Sequence, residues 1–127
     1  MMQKTDISIA IVKNSDNLFL ISLRPLSVHQ GGKWEFPGGK VEKNEFPEQA
    51  MRRELFEEVD LTVLEYQLLE SKSFDYGDCF LYLHFYLVTD FSGEAKGKEG
   101  QAIKWVSKEQ LALYEFPDAN KTVIELL

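Results

Sequence analysis

The sequence predicts an α/β protein in which a mixed β-sheet is sandwiched between helices. Short runs rich in β-branched and aromatic residues recur along the 127 residues, which is the pattern of strands. Between them, residues 47–59 show the apolar spacing of an amphipathic helix, and two further helix-start signals follow near the C-terminus. A chain of this length suits one domain better than two, so we expect a single domain over residues 1–127.

The first two strands are expected in the runs ISIAIV and LFLISL, which are separated by KNSDN, a strong turn signal. This arrangement predicts a hairpin. The next stretch, RPLSVHQGGKWEFPGGKVEKNE, is rich in glycine and proline and predicts a long loop with one short strand. Loops of this length in a compact domain usually carry function.

The segment from Pro47 to Val59 predicts the main helix. Pro47 suits the first helical turn, where its missing N–H is not needed. Met51, Leu55 and Val59 recur every four residues and form an apolar stripe beside an acidic one. We expect the apolar stripe to face the core and the acidic stripe to face a cleft.

The second half of the chain predicts a hairpin, a last strand and two helices. LTVLEYQLLESKSF and CFLYLHFYLVTDF have strand composition and are joined by DYGD, a turn signal. AIKWVS is the last expected strand. In SKEQLAL, Ser107 and Gln110 have the spacing of a capping box. DANKTVIELL predicts a closing helix with Asp118 as its cap.

Composition narrows the functional classes. Fourteen basic against 21 acidic residues give a net charge of −7, which argues against binding to a nucleic-acid polymer. Cys79 is the only cysteine, so no intramolecular disulfide can form, as suits a reducing cytoplasm. The apolar run Ile7–Val12 is too short for a membrane span. We therefore expect a cytoplasmic monomer without a membrane partner.

The stretch RRELFEEVD crowds Glu54, Glu57 and Glu58 into five positions. On a helix these carboxylates fall within a sector of roughly 100°, where like charges repel. Either Arg52, Arg53 and nearby lysines neutralise them on a solvated face, or a metal ion does. Clustered oxygen ligands suit Mg²⁺ or Mn²⁺, and the helix alone leaves both interpretations open.

From Gly39 onward, GKVEKNEFPEQAMRRELFEEVDL resembles the Nudix box, Gly-x5-Glu-x7-Arg-Glu-U-x-Glu-Glu-x-Gly-U, where U is a bulky aliphatic residue. Eight positions match: Gly39, Glu45, Arg53, Glu54, Leu55, Glu57, Glu58 and Leu61. Asp60 stands where the family has glycine. A glycine there would form a left-handed helix cap, a conformation that Asp tolerates better than most residues, so we expect a small stability cost and intact chemistry.

The likeness extends to KWEFPGGKVE, GKEGQ and EFPDAN, which resemble the 8-oxo-dGTP pyrophosphohydrolases of the Nudix family. It covers nearly the whole chain and implies the Nudix fold. The implied activity is metal-dependent hydrolysis of 8-oxo-dGTP to 8-oxo-dGMP and pyrophosphate, which keeps a mutagenic nucleotide out of DNA. The implied cofactor is Mg²⁺ or Mn²⁺, and the implied partner is a small-molecule nucleoside triphosphate.

The resemblance also implies roles for individual residues. The expected metal ligands are the backbone carbonyl of Gly38 and the side chains of Glu54, Glu57, Glu58 and Glu99. Either Glu54 or Glu99 is expected to be the general base, and the sequence leaves both open. Arg53 would orient the glutamates, and Glu45 would hold the preceding loop to the helix.

The implied nucleotide site lies elsewhere in the chain. Arg24 and His29 match positions near the phosphates and sugar, and Glu35, Phe36 and Asn120 match positions near the base. Three further residues are expected to line the same pocket: Tyr76, Asp78 and Leu83. Tyr76 stands where well-known relatives carry a different ring, and Cys79 replaces a basic residue.

Three other interpretations are compatible with parts of the sequence. The chain could be a Nudix hydrolase that acts on another nucleoside diphosphate derivative. It could be a non-catalytic Nudix-fold binding module, although such a module would be expected to lose the box glutamates, which are present here. A carboxylate-bridged iron protein usually needs two acidic helices with histidine ligands, and the two histidines of this chain both lie off the acidic helix.

Overall fold

Seven strands and three helices make up the part of the chain that the computed structural model describes, residues 4–28 and 31–127. The strands are β1 (Lys4–Val12), β2 (Phe19–Leu23), β3 (Trp34–Glu35), β4 (Gly38–Lys40), β5 (Thr62–Asp75), β6 (Phe80–Ser92) and β7 (Ile103–Val106). The helices are α1 (Pro47–Val59), α2 (Lys108–Leu111) and α3 (Asp118–Ile124). None of these helices is long and apolar enough to cross a membrane.

The strands form two sheets. The larger has the order β4-β1-β6-β5, and the smaller has the order β3-β2-β7. In the larger sheet β1 runs parallel to β6, whereas its other neighbour, β4, is antiparallel. The expected mixed sheet is therefore confirmed. The expected hairpin of β5 and β6 is confirmed as well, with Asp75 paired to Phe80 across the turn.

The expected hairpin of β1 and β2 is wrong. The two strands belong to different sheets and share only an isolated bridge between Lys13 and Phe19. The physical reason is that β6 pairs along one edge of β1 and β4 pairs with Ile7–Ile9 on the other, whereas β2 pairs with β3 and β7 in the smaller sheet. The long loop that follows contains two short strands, β3 and β4, where one was expected.

The larger sheet is covered on both faces, as the sandwich prediction requires. On one face, Met51, Leu55 and Val59 of α1 pack in a buried cluster with residues of β1 and β6. The expected apolar stripe of α1 is thus confirmed. On the other face, Ala119 and Val123 of α3 belong to a second buried cluster that also contains residues of β1, β2 and β6.

The ends of the three helices can be compared with the predicted caps. The C-cap of α1 is Asp60, which adopts the left-handed conformation (φ 64°) that was expected for this position. Its backbone N–H donates to the Phe56 carbonyl. The predicted capping box of Ser107 and Gln110 is present. The prediction that Asp118 caps α3 is wrong, because Pro117 already has the extended backbone of an N-cap and the helix begins at Asp118.

Candidate active site

Two adjoining cavities form one cleft beside the acidic face of α1. The first, of about 690 Å³, is lined by Glu58, Glu99 and the loop that follows β2. The second, of about 400 Å³, is lined by the glycines of β4, the β5–β6 turn and the start of α3. Arg24 and Glu35 line both cavities, so the two share a wall.

Glu58 is the carboxylate most strongly affected by its surroundings. Its Oε2 accepts a hydrogen bond from the Gly38 N–H at 3.0 Å. Burial raises the pKa of Glu58 to about 9, and the charges of Glu35, Glu54 and Glu99 add to the shift. Because a buried carboxylate with acidic neighbours favours its protonated form, a cation at this point would relieve the repulsion.

Glu54 lies against the backbone of β4. A Cβ added to Gly39 would come within 2.3 Å of the Glu54 carboxylate carbon, and one added to Gly38 would come within 2.3 Å of the Ser8 carbonyl oxygen. Only glycine therefore lets this strand approach both α1 and β1 so closely. Burial raises the pKa of Glu54, although hydrogen bonding to Arg53 opposes the shift.

Arg53 connects the acidic helix to the preceding loop. It donates two hydrogen bonds to the Glu45 carboxylate, at 2.8 and 3.0 Å. It also donates to Glu54 Oε1 at 2.7 Å and to the Lys40 carbonyl at 3.1 Å. Glu57 contacts Arg53 at 3.4 Å, and its side chain is 55% exposed. Arg53 thus orients Glu54 firmly and Glu57 only loosely.

The loop before β7 brings Glu99 to the same cleft. Burial is the largest cause of the raised pKa at Glu35, Glu54 and Glu58, and repulsion from Glu99 adds to it at all three. The loop is held to the end of α1 by backbone hydrogen bonds from Lys98 to the Glu58 carbonyl and from Lys96 to the Val59 carbonyl. These bonds satisfy carbonyls that a helix end leaves without partners.

Gln101 was missed by sequence reasoning. Its Oε1 accepts a hydrogen bond from the Glu99 N–H at 2.9 Å, and its Nε2 donates to the Glu58 carbonyl oxygen at 3.0 Å. One side chain therefore holds together the backbones of two predicted metal ligands. The only available signal was an amide side chain two positions after Glu99, which is ordinary in a polar loop.

The second cavity has mostly apolar walls. Phe36 and Leu83 are each 2% exposed and belong to the core, so they reach the cavity from its inner wall. Tyr76 and Cys79 contribute from the β5–β6 turn. Asn120 is 8% exposed, and its Oδ1 is buried and accepts no hydrogen bond within residues 4–28 and 31–127. A buried amide oxygen in this position needs a donor.

The remaining predicted nucleotide contacts are placed as follows. Arg24 donates to the Glu35 carboxylate, and the pair lies between the two cavities. Burial raises the pKa of Glu35 more than Arg24 lowers it. Asp78 is exposed on the β5–β6 turn, and its neighbour Cys79 lines the cavity. His29 lies outside the described residues.

Comparison with known proteins identifies the family to which the chain belongs. Residues 8–126 match the family model described as NUDIX domain. A solved structure of MutT, from work on Aliivibrio salmonicida and Vibrio cholerae, matches with a TM-score of 0.84 and 46% identity, covering 98% of this chain and 96% of that one. The chain therefore belongs to the NUDIX domain family, and the expected fold is confirmed.

Two curated relatives cover nearly the whole chain. The chain is 42% identical over 126 residues to the 8-oxo-dGTP diphosphatase of Escherichia coli K12, which covers 99% of this chain and 98% of that protein. It is 33% identical over 124 residues to the CTP pyrophosphohydrolase of the same organism, which covers 98% of this chain and 91% of that protein. The family resemblance therefore extends well beyond the box.

Nudix hydrolases generally need a divalent metal ion, and the oxygen donors of this cleft fit such a cation. The described residues contain no preformed cluster of three acidic, histidine or cysteine side chains that could hold a metal. Glu54 is instead bonded to Arg53, and Glu58 accepts from the Gly38 N–H. Because a carboxylate has two acceptor oxygens, each glutamate can keep its present partner through one oxygen and offer the other to a cation.

Proposed function

We propose that the protein is a metal-dependent nucleoside triphosphate pyrophosphohydrolase whose preferred substrate is 8-oxo-dGTP, with 8-oxo-dGMP and pyrophosphate as products. The observation that carries the proposal is the composite cleft. A cavity with several repelling carboxylates adjoins a mostly apolar cavity, and there the buried amide oxygen of Asn120 has no donor among residues 4–28 and 31–127. The first suits metal-bound phosphates and the second suits a base.

The metal ligands in this proposal are the Gly38 carbonyl and the side chains of Glu54, Glu57, Glu58 and Glu99, and the preferred ion is Mg²⁺, with Mn²⁺ as a substitute. A bound divalent ion supplies positive charge for the phosphates and lowers the pKa of a bound water. The raised pKa values of the buried glutamates support a site built for cations, because added positive charge would favour their ionised forms.

We assign the general-base role to Glu54 rather than Glu99. A general base must be held within hydrogen-bond reach of the attacked water, and Glu54 is held against the backbone of β4 at Gly39. Arg53 also fixes the direction of its carboxylate through the 2.7 Å hydrogen bond. Glu99 would then serve as a metal ligand from the opposite loop.

Asn120 supports the choice of base. In 8-oxoguanine, N7 carries a hydrogen and is a donor, whereas in guanine the same atom is an acceptor. The buried Oδ1 of Asn120 can accept from N7–H while its amide N–H donates to O6. Guanine would place two acceptors against each other, which is a penalty rather than a missing contact.

A second candidate substrate is CTP. The relative named CTP pyrophosphohydrolase and the same unpaired oxygen of Asn120 favour it, because the amino group of cytosine is also a donor. A pyrimidine has one ring fewer than a purine to place in a cavity of about 400 Å³. The purine therefore remains the better match.

The test is a panel of 8-oxo-dGTP, dGTP and CTP with Mg²⁺, scored as kcat/KM with separate detection of phosphate and pyrophosphate. We expect 8-oxo-dGTP to give the highest value and pyrophosphate to be the product. A preference for CTP would select the second candidate. Release of orthophosphate with a nucleoside diphosphate would reject the reaction class.

The position of water attack follows from the same proposal. Attack at the β-phosphorus makes the monophosphate the leaving group, so in ¹⁸O-labelled water the label should enter pyrophosphate. Label in the monophosphate would instead mean attack at the α-phosphorus. We further propose that residues 1–127 act as one domain and a monomer, in the cytoplasm, on free nucleotides rather than polymers, in keeping with the net charge of −7.

A further inference from the structure

The start of α3 is capped by a side chain from a distant part of the chain. The first N–H groups of a helix have no partner inside the helix, and Pro117 at the N-cap makes no side-chain capping bond. Instead, the backbone N–H of Ala119 donates to the Tyr76 hydroxyl at 3.1 Å, across 43 positions of sequence. A hydroxyl on the β5–β6 turn thus takes the place of a local cap.

Tyr76 is itself fixed in the turn. Its backbone N–H donates to the Cys79 carbonyl at 2.9 Å, which closes the turn. Its ring packs against Phe74, with ring centroids 4.6 Å apart, and against the buried cluster below α3. The hydroxyl oxygen is therefore a well-placed acceptor rather than the end of a mobile side chain.

Asn120 follows directly on the capped residue. Its own backbone N–H donates to the Pro117 carbonyl at 2.9 Å, so both N–H groups of this turn are held. The side chain of Asn120 and the ring of Tyr76 line the same cavity from two elements, α3 and the β5–β6 turn. The Tyr76–Ala119 bond links these two walls.

We infer that Tyr76 is a positioning residue for base selectivity: its hydroxyl holds the first turn of α3 so that Asn120 meets the edge of the base in one orientation. This inference rests on the proposed function. A site that distinguishes two bases by one hydrogen bond depends on holding its polar group within a fraction of an ångström, and that requires support from neighbouring bonds.

The test is Tyr76→Phe, which removes one oxygen and keeps the ring. Because the neutral hydrogen bond to Ala119 is lost, we expect kcat/KM for 8-oxo-dGTP to fall about 3- to 10-fold. The loss should lie mainly in KM, with the value for dGTP little changed. The amide hydrogen of Ala119 should also exchange faster with solvent in the ligand-free variant.

A matched control is Tyr66→Phe, which removes a hydroxyl on β5 from a ring that packs on Tyr86, away from the cleft. It should leave both the selectivity ratio and the exchange of Ala119 unchanged. A second check is the double variant Tyr76→Phe with Asn120→Ala. If Tyr76 acts through Asn120, its removal should lower the ratio no further in the Asn120→Ala background.

An unchanged ratio of kcat/KM values for 8-oxo-dGTP over dGTP in Tyr76→Phe would overturn the inference, as would full additivity in the double variant. Failure of the proposed function has a different signature, because the wild type itself would then show no preference for 8-oxo-dGTP. In that case the measurement is the KM of the nucleotide with the highest kcat/KM. A higher KM in Tyr76→Phe than in wild type supports positioning by the hydroxyl, and an unchanged KM rejects it.

Discussion

The two sides of the cleft are built in opposite ways. The carboxylate side, formed by Glu54, Glu58 and Glu99, brings like charges together and holds them with Arg53 and Gln101. The base side, which is the cavity lined by Phe36, Leu83 and Asn120, has mostly apolar walls. In the described part of the chain, the buried Asn120 oxygen has no donor. The carboxylate side is therefore suited to charge-dependent chemistry, whereas the base side is suited to selection between similar bases.

The energetic consequences also differ. On the carboxylate side, acidic groups face one another before any ligand binds, so a bound cation would stabilise the protein as well as support the proposed reaction. On the base side, the single unpaired oxygen costs most when a base offers it another acceptor. Changes to the first side should therefore alter rate and stability, and changes to the second should alter selectivity.

The largest expected effect is loss of the metal site. EDTA should abolish turnover and Mg²⁺ should restore it. Glu57→Gln keeps the size of the side chain and removes its charge, so turnover should fall at least ~100-fold, the scale of losing a key electrostatic group. Because this side chain is 55% exposed, the fold should remain intact by circular dichroism.

Glu48→Gln makes the same chemical change on the first turn of the same helix and should leave turnover unchanged. The residual activity of Glu57→Gln should keep the wild-type preference among bases. Full activity in EDTA, or in Glu57→Gln, would remove the metal assignment, and an altered base preference would break the division between the two sides.

The second largest effect is expected in the selection between bases, without a change in metal dependence. Asn120→Ala removes the amide and leaves buried polar groups of the substrate unpaired, so 8-oxo-dGTP binding should weaken by roughly 1–3 kcal/mol. The Mg²⁺ dependence should not change. The measurement is the ratio of kcat/KM for 8-oxo-dGTP over dGTP in both proteins, and a variant that keeps the full ratio would exclude Asn120 as the base-recognition residue.

Features of the fold that depend on contacts between residues close in sequence could be predicted, whereas features that depend on contacts between distant residues could not. The bounds of α1, its apolar stripe and the capping box at Ser107 depend on neighbours within a turn or two of helix, and all were predicted. The separation of β1 from β2 depends on β6, some 70 positions further along the chain, which no local turn signal reports. The failed hairpin is therefore an error of long-range pairing.

The residues of the candidate site also divide into those that a local motif predicts and those that depend on contacts between distant parts of the chain. The glutamates of α1 have fixed spacing in a motif, so they could be named from the sequence. The bond from Ala119 to Tyr76 spans 43 positions and the bond from Gln101 to Glu58 also spans 43. Nothing in the local composition predicts either contact, because Tyr and Gln are ordinary residues at a core edge and in a polar loop.

A smaller loss of rate is expected from Gln101→Glu. The variant can still accept from the Glu99 N–H but can no longer donate to the Glu58 carbonyl, so the loop should shift relative to α1. We expect kcat to fall roughly 10-fold with little change in KM or base preference, because the partly buried hydrogen bond from Gln101 to Glu58 is lost. Gln67→Glu, the same change on the exposed strand β5, is the control.

An unchanged kcat in Gln101→Glu would mean that the hydrogen bond to Glu58 does not position Glu99. A double variant with Glu99→Gln sharpens the result. If Gln101 acts through Glu99, the two losses should not add, whereas independent roles would give the product of the two fold-changes.

The smallest expected effect is on the stability of the metal-free protein. The folded state raises the pKa of Glu58 from 4.5 to about 9, mainly through burial, so between these values the folded protein binds a proton that the unfolded chain has released. The free energy of unfolding therefore falls as pH rises through this window. Glu58→Gln cannot ionise and should lose the Glu58 share of this slope, so its free energy of unfolding should fall less than that of wild type between about pH 5 and about pH 8. Urea unfolding in EDTA at about pH 5 and about pH 8 measures the difference, and Mg²⁺ should reduce it by stabilising the ionised wild type. Parallel slopes for wild type and Glu58→Gln would show that the pKa of Glu58 is not raised in the folded protein.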